Sequence, residues 1–247
     1  MNTWRHEFKY ETDHLTAAAL ESRLSALLSR DPHAGPDGTY PIRSLYFDDW
    51  RDQCLHDNED GVDPREKFRL RIYNADPSLI HLELKRRDHE MTGKLQEVIS
   101  EDLCRRILSP AGISYADTFS SSSVQNCSGE KNDFADTGGS SLLRKLWLQQ
   151  ESRRLRPVIL VEYERTPFIC PDGNVRITFD RNIRGGLSTD EFTAPDPFFR
   201  PVMPAGREII EVKYDEFLPD PIARITADRR LQRVAYSKYA LCRRLCG

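Results

Sequence analysis

The sequence predicts an α+β protein whose antiparallel strands close into a barrel, with the helices packed outside it. Three observations lead to this fold class. Predicted strands follow one another directly instead of alternating with helices, which excludes a doubly wound parallel sheet. Most of these strands carry charged residues on one face and apolar residues on the other. The predicted helices have apolar faces that need a surface to cover, and a closed barrel of about eight strands provides one.

The composition limits the classes of protein to be considered. The 247 residues include 36 Lys and Arg, 39 Asp and Glu, and 9% aromatic residues, a composition that indicates a folded chain. No stretch approaches the ~18 apolar residues of a membrane span, and no secretory signal opens the sequence. The six cysteines form no CxxC pair, so we expect reduced thiols and no zinc site. We therefore expect a cytoplasmic protein that binds no nucleic acid and has no membrane span of its own.

The first half of the chain is predicted to contain one helix among a succession of strands. The helix covers residues 13–30, with Asp13 as its N-cap and Asp31-Pro32 as its end. Besides the opening segment WRHEFKY, four segments are rich in β-forming residues and bounded by Gly, Pro, Asn or Asp, namely 40–50, 66–74, 78–87 and 92–100. The tight connection NADPS predicts that the strands on either side of it pair as a hairpin.

The second half is predicted to return to helices, strands and a closing helix. A short helix follows Ser100, and the Ser-, Gly- and Asn-rich range 116–141 is predicted to be a disordered surface insertion. A helix over 142–156 and a last amphipathic helix over 228–245 enclose three more strands, at 157–168, 175–183 and 207–215. With no internal repeat, we expect residues 1–247 to form a single domain.

The charged faces of the strands are the unusual feature of this sequence. Because side chains alternate along a strand, polar and mostly charged residues share one face on each of five predicted strands. These groups are Arg5, Glu7 and Lys9; Lys67, Arg69 and Arg71; Glu83 and Lys85; Arg176, Thr178 and Asp180; and Glu211 and Lys213. One such strand alone would simply expose its charges to solvent. Because five strands share the pattern and the helices must pack somewhere, we expect an inverted barrel, with apolar residues outward beneath helices and charged residues in a hydrated lumen.

A lumen rich in Arg and Lys predicts an anionic ligand. Like charges at close quarters are unfavourable unless a polyanion neutralises them, and a chain of phosphates does so through Arg forks and Lys point charges. The few Glu residues then suit a divalent cation, since Mg²⁺ or Mn²⁺ takes oxygen ligands from one or two carboxylates and from the phosphates. Lys238 lies within the apolar stripe of the last predicted helix, either snorkelling to solvent or reaching toward the same ligand.

Several segments in a fixed order carry a resemblance to a known family. They are RHEFKY (5–10), RSLYFDD (43–49), KFRLRIY (67–73), LELKRR (82–87), a lysine at 94, VEYERTPF (161–168), RITFD (176–180), IIEVKY (209–214) and SKY (237–239). The sequence resembles the polyphosphate polymerase domain of the vacuolar transporter chaperone (VTC) proteins and their bacterial relatives. These belong to the triphosphate tunnel metalloenzymes, which are related to the CYTH phosphatases and cyclases.

The resemblance implies a tunnel barrel that binds a nucleoside triphosphate, together with a set of site residues. The catalytic residues implied are Arg69, Arg71, Lys85 and Lys238, and the phosphate-binding ones are Lys9, Arg43, Lys94, Arg165, Arg176 and Lys213. The metal, Mn²⁺ or Mg²⁺, would be held by Glu211, with Glu83 and Glu7 as weaker candidates. The two-glutamate opening motif of the tunnel hydrolases appears here as Arg5-x-Glu7-x-Lys9, which favours the polymerase branch.

The function expected is therefore transfer of the γ-phosphate of ATP to a growing inorganic polyphosphate chain. Two alternatives stay open: hydrolysis of tripolyphosphate or a nucleoside triphosphate in the same tunnel, and a non-catalytic polyphosphate-binding module. The partners expected are ATP and polyphosphate, and association with a separate membrane protein is worth testing. P-loop, Rossmann, HExxH and GxSxG patterns are absent. The pair Asp48-Asp49 is interpreted as a strand end in preference to a metal site.

Overall fold

A computed structural model describes residues 4–89, 91–119 and 139–246. Its strands are β1 (Arg5–Asp13), β2 (Ser29–Arg30), β3 (Tyr40–Asp48), β4 (Arg65–Tyr73), β5 (Asp76–Asp88), β6 (Met91–Ile99), β7 (Arg156–Cys170), β8 (Val175–Gly186), β9 (Arg200–Pro201), β10 (Arg207–Tyr214) and β11 (Gln232–Arg233). Its α-helices are α1 (His14–Ser25), α2 (Gln53–Glu59), α3 (Glu101–Leu108), α4 (Ser141–Arg153), α5 (Asp220–Thr226) and α6 (Lys238–Cys246). Every predicted strand is present, within a few residues of its predicted ends.

Eight of the strands described close into an antiparallel ring. The order around the ring is β7, β3, β4, β5, β6, β1, β10 and β8, and a pairing between β8 and β7 completes it. The two-residue strands β2, β9 and β11 extend β7, β8 and β1. The predicted fold class, an α+β antiparallel barrel with helices packed around it, is confirmed, except that α6 enters the barrel.

The hairpin between β4 and β5 shows how the sequence sets the register of the ring. Asn74 and Ala75 both have positive φ, 56° and 53°, which matches a two-residue turn between twisted antiparallel strands. Pairing then places Arg71 opposite His81 and Arg69 opposite Glu83. Residues of odd number on both strands therefore face the same side of the wall, and this side is the interior.

The outer face of the barrel carries most of the apolar core. Beneath α3 and α4 lie the even-numbered residues of β4 and β5, among them Phe68, Leu70 and Leu82. Beneath α1 and α5 lies a second cluster that includes Ile177 and Ile210. The predicted inversion, with apolar side chains outward beneath helices, is thus confirmed for these walls.

Part of the interior is nevertheless apolar, which the charge pattern did not predict. On the inner side of β7 and β8, the residues Ile159, Val161 and Ile183 pack with residues of α6, including Tyr239 and Cys242. At Gly185 a Cβ atom would stand 2.9 Å from the Cys246 Sγ atom, so the close approach of α6 to β8 requires glycine there. The last helix fills part of the barrel and does not cover its outside.

The predicted ends of the helices need correction at two places. The first helix ends at Ser25 and not at residue 30, because Ser29–Arg30 pairs with β7 as β2. The predicted helix over 228–245 is wrong in its first half, because the helix found in this range, α6, begins only at Lys238. Backbone hydrogen bonding decides this, since β11 pairs with β1 and the Val234 N–H donates to the Lys9 carbonyl. The short helix α5 before this segment was not predicted.

The predicted disordered insertion at 116–141 falls mainly on residues outside the described part of the chain, which are 120–138. At its two edges the chain is regular: Tyr115–Phe119 forms a 3-10 helix, and α4 begins at Ser141. No described helix has both the length and the apolar composition that crossing a lipid bilayer requires. The cysteines in the described ranges, 54, 104, 170, 242 and 246, are free thiols.

The pair Asp48-Asp49 lies at the end of β3, as the strand-end interpretation predicts. The buried Asp48 carboxylate accepts hydrogen bonds from the backbone N–H groups of Cys54 and Leu55, at 2.8 and 3.1 Å, and from the Tyr239 hydroxyl. This carboxylate therefore joins β3, α2 and α6, which is a structural role.

Candidate functional site

A cavity of about 700 Å³ occupies the interior of the barrel. Among the described residues, fifteen Lys and Arg side chains line it, against six Asp and Glu. Most of those on the strands are aimed inward by the period of two, because charged positions alternate with the apolar positions that pack under the outer helices. The cavity is therefore strongly positive although the chain as a whole carries a formal net charge of −3.

Glu83 on β5 forms the first of three ionic nodes in the wall. Its side chain is fully buried, and its two oxygens accept hydrogen bonds from Arg69 Nε at 2.6 Å and from Lys94 Nζ at 2.9 Å. Arg71 Nη1 stands 3.9 Å away. Burial favours the neutral acid, but the surrounding cations outweigh it and hold the pKa of Glu83 well below its usual range. Glu83 is thus a permanent anion held by three cations.

The second node joins β1 and β10 and contains two glutamates. Glu7 accepts hydrogen bonds from Lys85 at 2.8 and 3.0 Å and has Lys9 at 3.2 Å. Lys213 Nζ lies between the carboxylates, 2.8 Å from Glu211 Oε1 and 3.4 Å from Glu7 Oε2. Against the effect of burial, these lysines lower the pKa of Glu7, and Lys213 is foremost in lowering that of Glu211. Both glutamates are therefore ionised.

The third node brings the closing helix into the site. Asp180 on β8 is fully buried and accepts two parallel hydrogen bonds from Arg165, at 2.7 and 2.8 Å. Lys238, the first residue of α6, places its ammonium 2.5 Å from Asp180 Oδ2. Arg165 also reaches Glu211 at 3.3 Å, which links this node to the second. Lys238 therefore points into the barrel, and the snorkelling alternative is wrong.

Tyrosine hydroxyls orient three of the arginines. Arg69 donates to the Tyr46 hydroxyl at 3.0 Å, and Arg71 donates to the Tyr163 hydroxyl at 3.3 Å. Arg176 donates to the Tyr40 hydroxyl at 2.9 Å and pairs with Asp31 at 2.7 Å. Fixed guanidinium planes lose less conformational freedom when they bind an anion. The tyrosines therefore fix the orientation of these guanidinium groups.

Most of the residues singled out from the sequence meet in this cavity. Those that line it are Lys9, Arg69, Arg71, Lys85, Lys94, Arg165, Arg176, Lys213, Lys238 and Glu211. Glu83 lies behind them in the wall. Arg43 does not reach the cavity, and its proposed phosphate-binding role is corrected here. It lies on the outer face of β3, where its Nε donates to Glu162 at 2.6 Å and its Nη1 to the Phe192 carbonyl at 3.1 Å.

Other lining residues were not singled out as site residues. Lys67 shares its face of β4 with Arg69 and Arg71, so its position could have been inferred from the period of two. The tyrosines at 40, 46 and 163 carry no charge, and only the strand register reveals that they face inward. Arg65 and Arg87 stand opposite each other in the β4–β5 pair, next to Lys67 and Lys85, and they also line the cavity.

Two of the carboxylates are placed where they could act together as metal ligands. No cluster of three or more His, Cys, Asp or Glu suited to a metal occurs in the part of the chain that the structure describes. Glu7 and Glu211 share the Lys213 ammonium, so both present oxygens to one point in the cavity. This arrangement fits a hard cation of the Mg²⁺ type, which takes one or two protein carboxylates and completes its shell with phosphates and water. Glu83 does not fit, because it is fully buried and both of its oxygens are already bonded to cations.

A family model and several solved structures are similar to this chain. The VTC domain family model matches residues 4–246. Similar solved structures include a protein from Bacillus halodurans provisionally named an adenylate cyclase, 14% identical over 85% of this chain and 79% of that one, with a TM-score of 0.45. Another is a protein from Pyrococcus horikoshii OT3, 11% identical over 96% and 98% of the two chains, also with a TM-score of 0.45. The curated proteins include no match. Because the family model covers nearly the whole sequence, the chain belongs to the VTC domain family.

Proposed function

We propose that the protein is a polyphosphate polymerase, which transfers the γ-phosphoryl group of ATP to the end of an inorganic polyphosphate chain inside the barrel. The observation that carries this proposal is the excess of cations in the cavity, fifteen Lys and Arg against six Asp and Glu among the described residues that line it. A single phosphate would leave most of these cations unused, whereas two polyanions brought end to end would engage them.

The proposed step needs alignment more than proton transfer. A terminal oxygen of the polyphosphate chain attacks the γ-phosphorus of ATP, the bond from that phosphorus to the β,γ-bridging oxygen breaks, and ADP leaves. The attacking oxygen is already ionised, so a strong general base is not required. Arg69, Arg71 and Arg165 hold the two anions against their mutual repulsion and stabilise the charge on the transferred group.

Glu7 and Glu211 would hold a divalent cation, Mn²⁺ or Mg²⁺, which would supply further neutralisation of the phosphate oxygens. Lys213 lies between the same two carboxylates and would share them with the cation. The location proposed is the cytoplasm, where ATP is available and the free thiols remain reduced.

One incubation separates this proposal from the two alternatives. The purified protein is mixed with ATP and MnCl₂, and the products are resolved on a gel stained for polyphosphate while free phosphate and ADP are measured. Polymer with equimolar ADP supports the polymerase. Free phosphate without polymer would refute it in favour of a triphosphatase, and unchanged ATP would refute it in favour of a binding module.

Two variants test the residues named in the proposed step. Arg71→Met removes a guanidinium from the cavity, and Glu211→Gln removes a carboxylate from the metal pair with little change of shape. We expect each to lower the rate of polymer synthesis at least 100-fold, since losing one such group costs about 3 kcal/mol of transition-state stabilisation. The matched control is Arg105→Met, which removes an exposed cation of α3 outside the cavity. Wild-type rates for both site variants would refute the assignment.

A further inference from the structure

Three lysines form a row across neighbouring strands of the barrel wall. Lys67 on β4 stands directly opposite Lys85 on β5, and Lys85 stands directly opposite Lys94 on β6. Side chains at such positions have Cβ atoms about 5 Å apart, and like charges directly opposite one another are destabilising. The row therefore needs anions close to it.

Within the described ranges, carboxylates pair with two of these three lysines only. Lys85 bonds to both oxygens of Glu7, and Lys94 bonds to Glu83. Six lysines line the cavity, and five of them form ion pairs with carboxylates. Lys67 is the exception, because no carboxylate among the described residues pairs with it.

The groups around Lys67 do not neutralise its charge. Its Nζ atom lies 3.9 Å from the centre of the Tyr239 ring, which is a favourable but weak contact for a cation. Asp48 is nearby, but its oxygens are taken by the α2 backbone and the Tyr239 hydroxyl. The Cys54 thiol stays protonated, since burial raises its pKa. The charged or titratable groups that face Lys67 come from six elements. They are Lys9 on β1, Asp48 on β3, Arg65 on β4, Lys85 on β5, Cys54 on α2 and Tyr239 on α6.

Burial among these groups has a cost for the ammonium form. It lowers the pKa of Lys67 to about 7, from an ordinary value near 10.5. An anion placed against Nζ would restore the charged form. A surface lysine would show neither the burial nor the lowered pKa.

We propose that Lys67 is a further phosphate-binding residue of the cavity, and that its counter-ion is a phosphate group of the bound chain. The proposal rests on the proposed function, in that the cavity must accept a chain of phosphates. Lys67, Arg69 and Arg71 follow one another on a single face of β4, at steps of roughly 6.6 Å. Three cations in a line along one strand suit an extended polyanion better than a single compact ion.

The test uses inorganic tripolyphosphate as the probe and titration calorimetry without metal. We expect Lys67→Met to weaken tripolyphosphate binding about tenfold, while Lys67→Arg, which retains the charge, stays within threefold of the wild type. The control Arg105→Met, a cation of α3 outside the cavity, should stay within twofold. If the wild type binds and Lys67→Met binds equally well, the assignment of Lys67 is wrong while the proposed function stands. If the wild type does not bind tripolyphosphate, both proposals fall.

A second measurement on the wild type does not depend on the folding of any variant. Lysines are reductively methylated with and without saturating tripolyphosphate, and modification of each is quantified by mass spectrometry. We expect tripolyphosphate to slow modification of Lys67 at least fivefold and to leave the α4 residue Lys145 unchanged. Equal rates for Lys67 in the two conditions would overturn the proposal.

Discussion

The role of Glu83 as a fixed counter-ion gives a quantitative prediction for Glu83→Gln. The glutamine has nearly the same shape, but it lacks the charge that holds Arg69 at 2.6 Å, Lys94 at 2.9 Å and Arg71 at 3.9 Å. Its amide nitrogen is also a donor, so one of the two bonded cations would face a donor in place of an acceptor. Breaking a buried ion pair by removing one partner costs about 3–5 kcal/mol.

The lower end of this range is expected for Glu83→Gln, since the glutamine oxygen still accepts one hydrogen bond. A loss of about 3 kcal/mol corresponds to a fall in Tm of about 6–12 °C for a chain of this size. The fall is measured by circular dichroism during heating, in buffer without metal or phosphate. Tripolyphosphate should recover part of the loss, because it neutralises the cations that Glu83 releases.

Glu101→Gln is the matched control for this prediction. Glu101 pairs with Arg105 on the surface of α3 at 3.7 Å, with both side chains more than half exposed, and such pairs contribute at most about 1 kcal/mol. Its Tm should therefore change by less than about 4 °C. If Glu83→Gln lowered Tm no more than Glu101→Gln, Glu83 would not be a structural counter-ion, and a metal-binding role would again be open.

Three further predictions concern other parts of the molecule. Arg43→Ala should lower the free energy of unfolding in urea by about 3 kcal/mol, because it leaves the buried Glu162 short of a partner. The KM for ATP of the folded variant should not change, and an increased KM would show that Arg43 belongs to the site. Gly185→Ala should cost about 1–3 kcal/mol, since its Cβ would meet Cys246 Sγ at 2.9 Å, and an unchanged urea midpoint would contradict the packing described for α6. The free energy of unfolding should also fall on acidification below about pH 5, because carboxylates with a lowered pKa bind fewer protons in the folded than in the unfolded protein. Equal urea midpoints at pH 6 and pH 4 would contradict the ionic nodes described for Glu7, Glu83, Asp180 and Glu211.

The barrel and its cationic lining were accessible from the sequence because the strands alternate strictly between charged and apolar residues. A period of two assigns each residue to a face without any knowledge of its neighbours, and the order of elements excluded a parallel sheet. On β4 this reasoning placed Arg69 and Arg71 inward and Phe68 and Leu70 outward, as found. The same rule placed Lys67 on the charged face, although Lys67 was not predicted to be a site residue.

The sequence was less informative where the alternation carries no charge. On β3 the inward residues are Ser44 and Tyr46, so nothing in the pattern showed that Arg43 belongs to the other face. The segment before α6 has apolar residues at helical spacing, but its backbone pairs with β1, a contact with residues more than 200 positions away that local periodicity does not register. The same distance hides the entry of α6 into the barrel.

The ring of strands also has a consequence for biosynthesis. Its first strand is completed only by β10, and Arg5 bonds to Asp215 across 210 positions of sequence. While the polypeptide emerges from the ribosome, β1 must therefore wait for a partner that is translated much later, and ring closure is a slow, non-local event. Until then, Glu7 and Glu211 are not together and the basic strands cannot surround a polyanion. Nascent chains should consequently bind little nucleotide or ribosomal RNA through the basic interior of the barrel, because that interior has not yet formed.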